Sequence, residues 1–146
     1  MKSKEAAKST TLPLIRALVR SYQAFTSFDI KLLSKHDLTG AQADVIFTLG
    51  NTDGMTYKQI GQKTLTSKGT LTGIIERLIH KKIVQKCDNA EDARSQIVSL
   101  TSEGNNVFQT VFPQHIKKLE NKLSEISEED KKSIAKDLIK LTNAFQ

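Results

Sequence analysis

One cysteine, three histidines and no tryptophan stand in a chain of 146 residues, and each scarcity removes a class of function. The lone thiol, Cys87, excludes an intramolecular disulfide and a cysteine metal cluster. His36, His80 and His115 lie far apart and match no zinc-binding spacing, so each is expected to be solvated or capping and no metal site is expected. Aromatic residues make up 5% of the chain, too few for a platform on which single-stranded bases stack. No apolar run approaches the roughly 18 residues of a membrane span. Residues 1–8 are basic but lack the apolar segment that a secretion signal requires. The expectation is a cytoplasmic protein with no membrane partner. Enzyme signatures are missing too: there is no glycine-rich phosphate loop and no nucleophile elbow. Glu128, Glu129 and Asp130 are adjacent carboxylates, but a helix N-terminus explains them through its dipole. Neither catalysis nor a cofactor is expected.

Positive charge, by contrast, is in excess. Twenty-two Lys and Arg against sixteen Asp and Glu leave a net +6, with an isoelectric point near 9.4, which suits an anionic partner such as nucleic acid. Hydrophobic residues at 38% and charged residues at 26% place the chain among globular proteins. Its length suits one domain, residues 1–146, with a core of its own.

Apolar spacing predicts a mainly α protein with one small β hairpin. Residues 12–34 carry Ile15, Leu18, Val19, Tyr22, Phe25, Ile30, Leu32 and Leu33 at helical spacing. Thr39 with Gln42, and Thr56 with Gln59, have the spacing of capping boxes that open two short helices. A third helix is predicted from about residue 66 to 81. Two strands, 83–87 and 96–100, flank a polar loop that contains Asp92 and Arg94. Helical spacing returns with Phe108, Phe112, Leu119, Leu123 and Ile126, where Pro113 predicts a kink or an offset start. Ser127 opens a last helix with the stripe Ile134, Leu138, Leu141 and Phe145. These outer helices carry more apolar surface than a three-helix core with a hairpin can obviously cover, so they pack either on that core or against a second copy of the chain.

The third helix carries the chemistry. Leu71, Ile74, Ile75, Leu78 and Ile79 form a core face. The opposite face holds Gly69, Gly73, Glu76 and His80, flanked by Thr70, Thr72 and Arg77. Each glycine costs a helix about 1 kcal/mol relative to alanine. Small and hydrogen-bonding residues there suit a DNA major groove, and equally a solvated face with tolerated glycines. The order of elements favours the groove: two short helices, an amphipathic helix and a hairpin make a winged helix-turn-helix. The hairpin is then the wing, and an arginine near its tip suits a narrow minor groove.

The segments "LTGAQADVIFTL", "TYKQIGQKT", "SKGTLTGIIERLIHKKIV" and "DARSQIVSLTSEG" follow in order the signatures of the MarR family of bacterial transcription regulators, which this chain resembles over about residues 38–104. The resemblance implies a winged-helix lobe at about 38–101 and dimerisation helices at about 10–36 and 102–146. It implies a homodimer that binds a pseudo-palindromic double-stranded DNA operator, usually as a repressor, and that answers to a small-molecule effector or an oxidant. Ser67, Lys68, Gly69, Thr70, Thr72, Gly73 and Arg77 fall on the recognition helix. Asp92 occupies the family's acidic wing position, where it is expected to hydrogen-bond and aim the guanidinium of Arg94. Between them stands Ala93, where the family usually has a basic residue.

Lys82 departs from the family pattern, which often has glycine at the end of the recognition helix. A left-handed lysine would cost about 1–2 kcal/mol, so the helix is expected to end differently. Lys81, Lys82 and Lys86 are candidate phosphate-binding residues. By the same resemblance Tyr22 and Phe25 are candidates to line an effector pocket. "GTLT" and "HKKIV" are similar to the organic-hydroperoxide-sensing branch, but residues 12–34 lack its first-helix cysteine. Cys87, flanked by Lys86 and Asp88, is the only redox candidate. The rival reading is a winged helix that serves protein interaction or binds DNA without sequence preference.

Overall fold

The computed structural model describes residues 1–146, with the exception of the Lys68 side chain. The chain divides into two compact units, Met1–Gln109 and Thr110–Gln146.

The first unit opens with a single helical turn, α1 (Ser3–Ala6), and a long helix, α2 (Thr11–Leu33). A 3-10 turn, Ser34–His36, follows and closes on Asp37, whose φ of 54° is left-handed. An aspartate tolerates this conformation because its short polar side chain can bond locally. Thr39 then caps α3 (Gly40–Leu49). Its hydroxyl accepts from the Gln42 amide at 3.2 Å, and the Gln42 side chain accepts from the Thr39 amide at 3.1 Å. The same reciprocal pair, Thr56 with Gln59, opens α4 (Tyr57–Lys63) after the short strand β1 (Met55–Thr56). Both boxes stand where the local spacing predicts.

Gly54 leads into β1 with φ 114°. A Cβ there would lie 2.7 Å from Ile97 Cγ2 and 2.8 Å from the Val98 carbonyl oxygen. Only glycine combines that backbone angle with such a close approach.

The recognition-helix candidate is α5 (Lys68–His80). Leu71, Ile74, Ile75 and Leu78 are buried, joined by Val45, Ile46 and Leu49 of α3 and Ile60 of α4. Between α4 and α5 the backbone is fixed by a carboxylate from α3: Asp44 Oδ2 accepts from the Leu65 amide at 2.8 Å.

Lys82 corrects the expectation of an altered helix end. Its φ is 60°, the left-handed angle a glycine would adopt. The Lys82 amide donates to Ile79 O and the Ile83 amide to Leu78 O, each at 2.9 Å, which is the double bond of a Schellman ending. Leu78 and Ile83, its apolar pair, are both buried. The Lys82 carbonyl is held as well, accepting from Thr101 Oγ1 at 2.6 Å. Packing and hydrogen bonds on both sides of the residue therefore outweigh the cost of the angle.

The wing comprises β2 (Val84–Asp88) and β3 (Gln96–Leu100), antiparallel with Lys86 opposite Val98 and Cys87 opposite Ile97. β1 adds to the other edge of β3, giving the order β1-β3-β2. Val98, on the central strand, is fully buried. Thr101 then accepts from the Gly104 amide at 3.0 Å as the last long helix, α6 (Ser102–Lys122), begins. Pro113 sits inside this helix, so the element does not take its start from the proline.

The second unit holds the rest of α6 and α7 (Glu128–Ala144). Ser127 caps α7, accepting from the Asp130 amide at 3.0 Å, and Glu128, Glu129 and Asp130 occupy its first turn. No residue of α7 is buried.

Candidate nucleic-acid interface

Two exposed surfaces carry the predicted site residues: the outer face of α5 and the wing loop. On α5, an alanine Cβ built at Gly69 or Gly73 would meet nothing within 4 Å. Neither glycine is required by the protein's own packing, in contrast to Gly54. Thr70, Thr72 and Arg77 are exposed on the same helix. Ser67 is the N-cap residue but makes no side-chain capping bond; its hydroxyl lies 2.8 Å from that of Thr70 instead. Backbone donors in the first turn are thereby left for another acceptor, and the dipole favours an anion there. Lys68, named with these residues, has a side chain outside the described residues.

The wing loop is scaffolded by two short polar side chains. Asn89 Oδ1 accepts from the Glu91 amide at 3.1 Å and its amide nitrogen donates to Ser95 Oγ at 2.9 Å. Asp92 Oδ1 accepts from the Arg94 amide at 3.0 Å. This is an Asx turn, in which a side chain replaces the backbone carbonyl of a turn. The expected bond from Asp92 to the Arg94 guanidinium is corrected here: the nearest approach, Nε to Oδ1, is 4.0 Å. Asp92 holds the backbone of Arg94, and the guanidinium projects 98% exposed. The backbone bond prevails because it closes a two-residue turn, whereas a solvated ion pair gains little.

The lysines divide by partner. Lys82 is exposed on its left-handed corner. Lys81 Nζ bonds Asp37, both at the backbone carbonyl and at Oδ2, the latter at 2.9 Å. Lys86 Nζ bonds Glu76 Oε1 at 2.9 Å. Glu76 was assigned no role from the sequence; an acid ten residues before a lysine is visible there only once the strand is known to turn back beside the helix.

Cys87 is an exposed free thiol on β2. Tyr22 and Phe25 lie on α2, 67% and 49% exposed. Among the described residues, no group of three or more His, Cys, Asp or Glu residues could hold a metal ion. No described helix is long and apolar enough to cross a membrane.

A sequence model of the MarR family matches residues 36–95, the segment that contains α3, α4, α5 and the wing loop. Over 120 residues the chain is 26% identical to the HTH-type transcriptional regulator MhqR of Bacillus subtilis (strain 168), covering 82% of this chain and 83% of MhqR. Residues 36–95 thus carry the sequence pattern of the MarR family, and most of the chain is similar to one HTH-type regulator. Its backbone is similar to that of AbsC, a MarR family transcriptional regulator from Streptomyces coelicolor. The TM-score is 0.84 at 20% identity, over 94% of this chain and 95% of AbsC. It is also similar to MepR of S. aureus, solved as a DNA complex: TM-score 0.76, 20% identity, 95% of this chain and 100% of MepR. At these identities the likeness carries the fold, a winged helix-turn-helix with flanking helices. Within that MarR fold, α5 stands as the second helix of the helix-turn-helix and β2–β3 as the wing.

Proposed function

We propose that the protein is a sequence-specific, double-stranded DNA-binding transcription regulator that acts as a homodimer on a pseudo-palindromic operator, most simply as a repressor. The observation that carries this reading is the open, glycine-bearing face of α5 together with an Arg94 whose backbone its own loop positions and whose side chain stays 98% exposed. Residues 67–77 enter a major groove, where Thr70 and Thr72 meet base edges or a thymine methyl. Arg94 enters the flanking minor groove, and Lys82 meets the phosphate backbone. The two-fold axis sets half-sites about one helical turn apart, roughly 34–36 Å.

Dimerisation is supported by apolar side chains that the single chain leaves in water. On α2, Val19, Phe25 and Ile30 are each about half exposed; on α7, Ile134, Leu138 and Ile139 are likewise. Surface of this kind, rimmed by charge, is expected to be covered in an assembly. Tyr22 and Phe25 are the residues proposed to meet an effector, and Cys87 the one proposed to meet an oxidant.

The deciding experiment recovers bound fragments from a pool of genomic DNA and compares the best of them with random duplex at physiological salt. A specific regulator holds its fragment at least about a thousandfold more tightly than random sequence. Equal affinity for both would leave a non-specific winged helix, and no affinity for either would leave a protein-interaction module.

A further inference from the structure

Glu76 is the one acidic residue on α5. It lies two turns beyond Gly69 and nearly one beyond Gly73, on their open face. A bare carboxylate on a surface that meets phosphates is repelled by them. This one is not bare: Lys86 reaches across from β2 and places its ammonium 2.9 Å from Glu76 Oε1. The third member is Tyr57, half-buried at the start of α4. The hydrogen bond to Glu76, then the charge of Glu76, then Tyr57, raise the Lys86 pKa. Burial is the main cause that raises the Tyr57 pKa, with Lys86 opposing and Glu76 adding. The ion pair itself joins the wing strand to the recognition helix.

Solvent-exposed ion pairs contribute little to stability, so holding the fold together does not account for an acid at this position. Lys82 is exposed and Arg94 approaches Asp92 only at 4.0 Å, whereas Lys86 is matched by Glu76 at 2.9 Å. We propose that Glu76 tunes DNA affinity: it retains Lys86 on the protein and so withholds one phosphate-binding charge per protomer from duplex of any sequence. This rests on the DNA-binding reading above. Non-specific affinity is almost entirely a count of phosphates neutralised, so a lysine held back lowers it directly. Operator affinity falls by the same factor, because phosphate and base contacts add and the base contacts are untouched.

The test measures affinity for random duplex and for a recovered operator fragment between 50 and 200 mM salt, using the full chain and the variants E76Q and E76Q/K86Q. Releasing Lys86 in E76Q steepens the salt slope by about 0.9 per protomer, and the same slope carried from 1 M to 0.15 M salt gives about fivefold tighter random-duplex binding per protomer. Operator affinity rises by the same factor, so the ratio of the two stays that of the parent. In E76Q/K86Q the slope returns to that of the parent, while melting temperatures stay together. An E76Q slope equal to the parent's overturns the proposal. So does a gain that survives in the double variant, since the missing acid rather than the freed lysine would then be its cause. A parent that binds neither duplex defeats the DNA-binding reading itself, whereas parent-like behaviour of E76Q defeats only the role given to Glu76.

Discussion

The lobe from Leu38 to Thr101 and the helices α2 and α7 dispose of apolar surface in opposite ways. In the lobe, Val45, Ile46, Ile60, Ile75, Leu78 and Val98 are buried within a single chain. On α2 only Leu33 is buried, and on α7 nothing is. The lobe is a finished core that presents polar groups outward. The two helices are amphipathic surfaces that each leave apolar side chains exposed in the single chain, the surface that the proposed dimer would cover. A mutation should therefore register as lost folding in one region and as lost association or binding in the other.

The largest expected effect tests the finished core. Ile75→Ala removes a fully buried side chain from α5 and should cost about 2–5 kcal/mol of unfolding free energy, read by denaturant titration. A smaller loss than this would mean the lobe packs loosely. Next comes Leu138→Ser on α7, a side chain 46% exposed in the single chain. Its unfolding free energy at low concentration should move within about 0.5 kcal/mol. Self-association, measured by sedimentation, should weaken by about 1.5–3 kcal/mol per buried copy. An unchanged association constant would remove α7 from the dimer surface.

Arg94→Ala leaves folding untouched, since the exposed guanidinium packs on nothing, and should weaken operator binding by at least about 1 kcal/mol. Operator affinity equal to the parent's would end the minor-groove assignment. The smallest effect is also the most discriminating. Gly73→Ala should stabilise the lobe by up to about 1 kcal/mol, because a methyl group there meets nothing. It should nonetheless weaken operator binding, by crowding the backbone of α5 against the groove. A variant that is both more stable and equally tight would show that the glycine is merely tolerated.

Which features could be read in the sequence follows from the distance between the residues that make them. The boxes Thr39–Gln42 and Thr56–Gln59 are complete within three residues, so local pattern locates both. The hairpin strands follow from alternation, and the buried face of α5 from helical spacing. The left-handed angle of Lys82 is less legible, because beside its local helix-end bonds it is secured by Thr101, nineteen residues on. Asp92 was matched to the correct residue but to the wrong group, since charge suggested the guanidinium while turn geometry favoured the amide. The pairs Glu76–Lys86, Asp37–Lys81 and Asp44–Leu65 join residues 10, 44 and 21 positions apart. No single-segment pattern announces such pairs; they exist only once the chain has folded.

The bond from Lys81 to Asp37 has a mechanical consequence. Asp37 lies at the corner where the α2 segment ends, and Lys81 follows the last residue of α5. The ammonium grips a main-chain oxygen as well as a carboxylate, so it holds the corner itself and not merely a flexible side chain. A tilt at the end of α2 must carry the last turn of α5 along or tear this tether. The long helix can in that way act as a lever arm on the proposed recognition helix, with a single lysine as the linkage.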